Sequence, residues 1–242
     1  MAKDSKSVQS AGPNREQSAH AVQQALELAM RHHGAGRLSE AKGIYQQILQ
    51  TNPRQPVAMH LLGMVALQVG QDDIGVGLIT RALAIKPDYA DAHYNLGIAH
   101  HQLGRLDEAV VSYQKAIDIS PDNAATHFNL AIALQDLGRR EKAASSYQKA
   151  IDINPDNAAA HISLGCALKD LERLDEAVAS FHNAIAVKPD SAEAHNNLGN
   201  AFKELERLDE AVASYQKAID IIPDYEEAHG NLGNALMDAG RH

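Results

Sequence analysis

Segment 88–121 carries two runs of apolar and small residues at spacings of three and four, the pattern of helices with one buried face. The first run is His93, Leu96, Gly97 and His100, and the second is Ala109, Val110, Tyr113, Ala116 and Ile117. Gly104 lies between the runs, where a left-handed residue ends a helix, and Pro121 cannot continue the second one. We predict two helices, A and B, with Asp122 as the N-cap of the next helix A.

This two-helix unit recurs along the chain with a period of 34 residues, marked by Pro53, Pro87, Pro121, Pro155, Pro189 and Pro223. Segment 105–119 also returns at 207–221 with a single change, Val111 to Ala213. One helical hairpin is too small to bury its own apolar face, so stacked neighbours must supply the core. The sequence therefore predicts an all-α solenoid of antiparallel helix pairs.

The period also sets the expected domain boundaries. Residues 1–17 are expected to be disordered and 18–242 to form the solenoid, with full repeats at 22–55, 56–89, 90–123, 124–157, 158–191 and 192–225. The last repeat, 226–242, ends after helix A, so we expect Leu232 and Leu236 to be only partly buried, without a helix B of their own repeat against them. Two interpretations stay open: the chain is a fragment of a longer one, or its open end self-associates end to end.

The repeat resembles the tetratricopeptide repeat family, whose pattern is a bulky residue, Leu-Gly, another bulky residue, Ala, an aromatic, Ala and Pro. The third repeat has His93, Leu96, Gly97, His100, Ala109, Tyr113, Ala116 and Pro121 at these positions. The resemblance implies a right-handed superhelix. The early repeats depart from the pattern at Ala25, Ile48, Met59, Gly75 and Ile79. Glu172 and Glu206 replace the turn glycine, at roughly 1 kcal/mol each if the left-handed conformation is kept.

In this family the helix A surface away from the packing face lines the inner, concave wall, and the resemblance implies a ligand site there. One position of that surface is asparagine in several repeats: Asn95, Asn129, Asn197 and Asn231. An Asn side chain offers one acceptor and two donors, so such a ladder can bond the backbone of an extended peptide whatever its sequence. Asparagine is also a common solvated residue that duplication carries along, and this alternative stays open.

The rest of the expected wall is graded from apolar to polar. Its apolar part comprises Tyr94, Ile98, Phe128, Ile132 and Ile162, and its polar part comprises Asn196, Asn200 and Lys203. We expect a partner to bury side chains at one end and to form hydrogen bonds at the other. The alternative is that the apolar residues only fill the interior of the superhelix.

These features predict a protein–protein interaction scaffold that binds an extended peptide or partner protein on the concave helix A surface. The chain is also similar to the repeat arm of O-linked N-acetylglucosamine transferases in its Asn-Leu-Gly and Leu-Asp-Glu-Ala stretches. That resemblance implies an alternative function as the substrate-recruiting arm of a larger enzyme. The enzyme would be a glycosyltransferase or, less readily, a sulfotransferase, with its catalytic domain beyond residue 242.

Composition narrows the class of partner. Lys and Arg total 22 against 31 Asp and Glu, a net charge of -9, which disfavours nucleic acid. No apolar run reaches the length of a signal-peptide core or a membrane span, so we expect no membrane insertion. Cys166 is the only cysteine, which excludes an intramolecular disulfide and suits a cytoplasmic location.

No catalytic, metal or cofactor site is expected. One histidine recurs at the same position of five repeats, at His93, His127, His161, His195 and His229. Packed helices lie about 10 Å apart, too far for these rings to share a zinc ion at about 2.1 Å, so we interpret them as core residues. The basic positions with which chaperone-binding family members clamp a terminal carboxylate are not basic here. Phosphate-loop and hydrolase motifs do not occur either.

Overall fold

The computed structural model of the chain describes residues 15–240, and within that range the regular structure is entirely α-helical. The helices are α1 (Arg15–Gly34), α2 (Leu38–Thr51), α3 (Pro56–Gln68), α4 (Asp72–Ile85), α5 (Ala90–Gln102), α6 (Leu106–Ile119), α7 (Ala124–Asp136), α8 (Arg140–Ile153), α9 (Ala158–Lys169), α10 (Leu174–Val187), α11 (Ala192–Glu204), α12 (Leu208–Ile221) and α13 (Glu226–Asp238). The predicted all-α repeat solenoid is confirmed.

Odd-numbered helices are the helices A of successive repeats and even-numbered helices are the helices B. From the second repeat onward, each helix A begins at the first residue of a repeat as delimited from the sequence, at Pro56, Ala90, Ala124, Ala158, Ala192 and Glu226. The first helix, α1, begins at Arg15. Residues 15–17, expected to be disordered, are therefore helical, and residues 1–14 of the same segment lie outside the described residues.

The chain divides into two compact units, Met1–Ala92 and His93–His242. In the first unit, the second repeat departs from the family pattern, and α3 and α4 approach each other through glycine. A Cβ on Gly75 would lie 2.9 Å from the carbonyl oxygen of Gly63. Ile79, at the position of the aromatic residue, is fully buried against Gly63. Close backbone approach thus replaces aromatic packing in this repeat.

The first unit also buries an ionisable side chain, His60 of α3. Its Nδ1 lies 3.0 Å from the Tyr89 hydroxyl, and the two rings pack edge to face with centroids 5.0 Å apart. Burial lowers the pKa of His60 to about 4, and His33 acts in the same direction while Asp91 opposes it. The imidazole is therefore neutral at neutral pH.

The core of the second unit is built around one aromatic residue from each helix B. These residues are all buried: Tyr113, Tyr147, Phe181 and Tyr215. The glycine of the Leu-Gly pair gives the ring its space, because a Cβ on Gly165 or Gly199 would lie 2.5 Å from the ring of the same repeat. Real Cβ atoms do not approach a ring so closely, so in these two repeats any larger residue would force the ring to shift. The fourth repeat has Ala131 at this position, and it is fully buried.

The turn between helices A and B keeps its left-handed residue even where glycine is replaced. Gly104 has φ 70°, while Glu172 and Glu206 have φ 60° and 59°. The backbone bond pattern is the same in both kinds of turn. The Arg105 N–H donates to the His100 carbonyl at 2.8 Å, and the Arg173 N–H donates to the Leu168 carbonyl at 2.9 Å. The helix-ending hydrogen bonds therefore hold the glutamates in a strained conformation.

The prediction that Asp122 caps the next helix A is wrong. The cap is Asn123, whose Oδ1 accepts a hydrogen bond from the Thr126 N–H at 3.1 Å. In the following repeats the equivalent caps are Asn157 and Ser191. The cap must directly precede the first helical residue for its side chain to reach the third N–H, and Asp122 lies one position too early, in the turn.

The recurring histidines tie each helix A to the turn before it. In the last four repeats Nε2 lies 2.8 to 3.2 Å from the carbonyl oxygen of the preceding proline, in the pairs His127–Pro121, His161–Pro155, His195–Pro189 and His229–Pro223. A carbonyl only accepts, so Nε2 carries the proton. The expected core location holds for His93 and His161, which are buried, whereas His229 is exposed. The hydrogen bond, rather than burial, is what these repeats share.

Candidate functional site

The asparagine position lies on helices A of the second unit, and its side chains are half-exposed at Asn95, Asn129, Asn197 and Asn231. Three of the amides donate a hydrogen bond to the preceding helix A. Nδ2 of Asn129 lies 2.9 Å from the Tyr94 hydroxyl, Nδ2 of Asn197 lies 3.8 Å from the Cys166 sulfur, and Nδ2 of Asn231 lies 3.1 Å from Oδ1 of Asn196. Each bond uses one N–H of the amide and so fixes the orientation of a side chain that solvent still reaches.

The apolar residues expected beside the asparagines are partly built into the core. Tyr94, Ile98, Phe128 and Ile132 are half-buried, and Ile162 is buried. Tyr94 packs on Tyr113 with ring centroids 6.1 Å apart, and Phe128 packs on Tyr147 at 5.5 Å. The four half-buried residues form a partly exposed apolar strip on α5 and α7, consisting of Tyr94, Ile98, Phe128 and Ile132. Ile162 contributes little to it because its side chain is buried.

The polar residues expected at the other end differ in accessibility. Asn196 has no exposed surface: its Nδ2 donates to Oε1 of Glu227 at 2.9 Å, and its Oδ1 accepts from Asn231. The structure thus does not place Asn196 on the accessible wall where we expected it, because side chains of α13 cover it. Asn200 is half-exposed and its Oδ1 accepts from the Tyr215 hydroxyl at 2.8 Å.

Successive helices A are linked by polar pairs 35 residues apart, which sequence reasoning missed. Besides the asparagine contacts, the pairs of the second unit include His101–Asp136 at 2.7 Å, Lys169–Glu204 at 3.0 Å and Lys203–Asp238 at 3.3 Å. The signal was present as a basic residue at one position and an acidic residue one position later in the next repeat. Because each lysine faces a carboxylate, these residues do not make the surface basic, and such exposed pairs add little stability.

Cys166 lies half-buried beside the asparagine position. Burial raises the pKa of its thiol to about 11, and Glu193 adds to this effect. The thiol is therefore protonated at neutral pH, where it is a poor nucleophile. Among residues 15–240 no three or more His, Cys, Asp or Glu side chains are grouped so that they could hold a metal ion. No helix in this range combines the length and the apolar character needed to cross a lipid bilayer.

Sequence models of a single repeat family match much of the chain. The model described as TPR repeat matches residues 80–104 and 99–138. Two models described as Tetratricopeptide repeat match residues 124–157 and 162–226. Together these matches cover more than half of the chain. No curated protein matches the sequence significantly.

Several solved structures share the fold. YrrB, described as a TPR protein with an unusual peptide-binding site, is 23% identical, with a TM-score of 0.70 over 77% of this chain and 96% of YrrB. PilF of Pseudomonas aeruginosa is 16% identical, with a TM-score of 0.74 over 89% of this chain and 98% of PilF. MamA of strain AMB-1 is 26% identical, with a TM-score of 0.60 over 69% and 91%. The repeat matches and the shared fold show that the chain belongs to the tetratricopeptide repeat family and is a protein-interaction scaffold.

Proposed function

We propose that the chain holds an extended peptide along the helix A surface of its second unit. The asparagine position carries this proposal, because half-exposed amides recur at the same place on α5, α7, α11 and α13. Three of them are oriented by a hydrogen bond to the preceding helix A. Amides fixed in this way lose less conformational freedom when they bind, which favours affinity.

The spacing of the helices suits an extended backbone. Neighbouring packed helices lie about 10 Å apart, and an extended chain advances about 3.3 Å per residue. Successive helices A would therefore meet about every third residue of the peptide, and the asparagines of α5, α7, α11 and α13 would bond its backbone, with Ser163 in this position on α9. The peptide side chains between these contacts would meet the surface. Tyr94, Ile98, Phe128 and Ile132 form the apolar strip that receives them at the α5–α7 end. Binding would then tolerate many sequences with apolar residues near one end.

The proposal is tested by panning a library of random 12-residue peptides on the purified chain and measuring the affinity of an enriched peptide by calorimetry. The variant Asn129→Ala/Asn197→Ala/Asn231→Ala removes three hydrogen bonds to the bound peptide, each of which contributes about 1 kcal/mol to the binding free energy. We expect its affinity to fall by about 100-fold.

The matched control is Asn183→Ala, which removes an exposed asparagine of a helix B and should leave the affinity unchanged. Far-UV circular dichroism checks that the triple variant stays folded at the assay temperature, because it also loses bonds to Tyr94, Cys166 and Asn196. Equal affinity of a folded triple variant and the wild type would exclude the asparagines from binding.

A further inference from the structure

A cavity of about 310 Å³ lies in the first unit, between the helices B α2 and α4, with α3 as its floor. Most of its lining side chains are apolar, and they come from the three helices and from the turn between α3 and α4. Two of them, Val69 and Ile74, are 49% and 56% exposed, and Leu78 is half-buried. The volume lies at the lower end of the range found for small-molecule sites in proteins.

The cavity exists because its residues differ from those at the same positions of other repeats. Ala66 stands where the later repeats bury a larger apolar residue, namely Leu134, Leu168 and Phe202. On α4, Ile74 and Leu78 stand at the positions of the polar residues Glu108 and Ser112 of α6. A small residue on α3 thus opens the space, and apolar residues on α4 line its mouth.

The mouth is also free of the ion pair that bridges the corresponding groove of the second unit. Between α6 and α8, Arg139 donates to Asp107 at 2.8 Å. The residues at the same positions beside the cavity are Ser39 and Gln71, and both are neutral. A ligand can therefore enter between α2 and α4 without breaking a salt bridge.

Lys42 of α2 is the one charged side chain among the described residues that line the cavity. It is half-buried, and no carboxylate within residues 15–240 forms an ion pair with it. In the other full repeats the same position is apolar: Val76, Val110, Ala144, Val178 and Val212. A partly desolvated ammonium group without a counter-ion favours an anion beside it. The cavity therefore combines apolar walls with a single positive charge.

We propose that this cavity binds a medium-chain alkyl carboxylate, with its chain over Ala66 and its carboxylate at the Lys42 ammonium group. An alkyl chain needs no hydrogen-bond partner, and the backbone groups of the surrounding helices are already paired within those helices. A peptide would instead bring amide groups that an apolar wall cannot satisfy. The site lies on elements other than those of the proposed peptide site, so it adds a second kind of ligand to the scaffold.

The test is isothermal titration calorimetry of octanoate into the whole chain, where we expect saturable binding at one octanoate per chain. The variant Ile74→Glu introduces the residue that α6 has at this position and places a carboxylate at the mouth. It should weaken octanoate binding at least about tenfold. Because Ile74 is exposed, the melting temperature should stay near that of the wild type. The matched control is Val111→Glu on α6, at a side chain that is 54% exposed, and it should bind as the wild type does.

Two further variants separate the charge from the apolar space. Lys42→Gln should weaken octanoate binding at least about fivefold and leave the binding of 1-octanol unchanged, because the alcohol carries no charge. Ala66→Leu fills the space with the residue found at Leu134 and should weaken the binding of both ligands. N-acetyl-leucine, which has the same charge next to an amide, should bind more weakly than octanoate.

Four outcomes contradict the proposal. The first is the absence of saturable octanoate binding to the wild-type chain. The second is equal weakening by Ile74→Glu and Val111→Glu, which would show a general effect of net charge. The third is an equal loss of octanoate and 1-octanol affinity in Lys42→Gln, which would show that the lysine does not recognise the carboxylate. The fourth is tighter binding of N-acetyl-leucine than of octanoate, which would assign the cavity to the C-terminal residue of a protein.

Discussion

Glu172 and Glu206 adopt the left-handed backbone conformation, which costs glycine nothing but strains residues that have a Cβ. Two turns of the second unit are therefore less stable than their glycine counterparts at Gly104 and Gly138. Since both glutamate side chains are exposed, the strain resides in the backbone and not in a contact. It can be relieved without disturbing the core.

We predict that Glu172→Gly stabilises the chain by about 0.5 to 1 kcal/mol, the left-handed penalty reduced by the larger unfolded-state entropy of glycine. The urea midpoint measured by far-UV circular dichroism should rise. The reciprocal change, Gly138→Ala, places a Cβ at φ 70° and should lower the midpoint. A midpoint that moves in the same direction for both variants would contradict this account.

The conformation of Glu172 and the burial of Asn196 could not be predicted from the sequence alone. The replacement of glycine by Glu172 was visible in the sequence, but only the φ of Glu172, with the hydrogen bonds that its turn shares with the Gly104 turn, shows that the chain keeps the strained conformation. The burial of Asn196 was not predictable from its repeat position, because it depends on Glu227 and Asn231 of the next helix. Interactions between unlike residues of neighbouring repeats are not visible in a periodic pattern.

At the scale of elements, the pairing of helix A with helix B depends on a glycine–aromatic contact. We predict that Gly199→Ala destabilises the chain by about 1 to 3 kcal/mol, because its Cβ would overlap the Tyr215 ring and force it to shift. Ala131 shows that a repeat can accommodate a methyl group here, so we expect the lower part of this range. Thermal and urea unfolding measure the change.

The matched control for this prediction is Gly233→Ala on α13. The same substitution at the same repeat position meets no atom there, and alanine favours helix by up to about 1 kcal/mol over glycine. We therefore expect a neutral or stabilising effect. Equal destabilisation by both substitutions would show that contact with the aromatic ring does not explain the effect at Gly199.

The helices themselves were well predicted because their signals are local. Spacing, turn glycines and prolines delimit each hairpin, and the helix starts agree with the repeat boundaries. The N-cap was misplaced by one residue, since both Asp122 and Asn123 are good caps by type and only the helix start distinguishes them. The histidine contacts were also missed, because they join the ring to a backbone carbonyl six residues earlier.

At the scale of the whole molecule, the burial of His60 makes the stability of the chain depend on pH. In the first unit, His60 has a pKa of about 4 because it is buried, whereas an unfolded histidine has a pKa of about 6.5. Between pH 6.5 and pH 4 the histidine is therefore protonated in the unfolded state but neutral in the folded state. The stability from neutral His60 is complete above pH 6.5 and is lost as the pH falls towards 4.

We predict that this histidine contributes up to about 3 kcal/mol to the loss of stability between pH 7 and pH 4. Urea unfolding at several pH values should show a smaller pH dependence for His60→Gln than for the wild type. His20→Gln, which changes an exposed histidine, should keep the wild-type dependence. The comparison of slopes holds even if His60→Gln is less stable at every pH.

The period predicted the fold of the whole chain, but the candidate site only in part. A strict repeat predicts the same exposure for every asparagine at one position, and the four ladder residues do share it. The surface beside them is set by differences between repeats, such as the packing of Phe128 on Tyr147 and the burial of Ile162. Those differences follow from three-dimensional packing and not from the pattern.

The helices α6 and α12 differ at a single residue, Val111 against Ala213, so α5 and α11 are followed by nearly the same partner helix. Loss or gain of the block of three repeats that separates them would therefore again join a helix A to a helix B that fits it. Unequal recombination between the duplicated coding segments would lengthen or shorten the array in this way. The length of this scaffold is thus open to evolutionary change in whole repeats, with the reach of its binding surface changing in step.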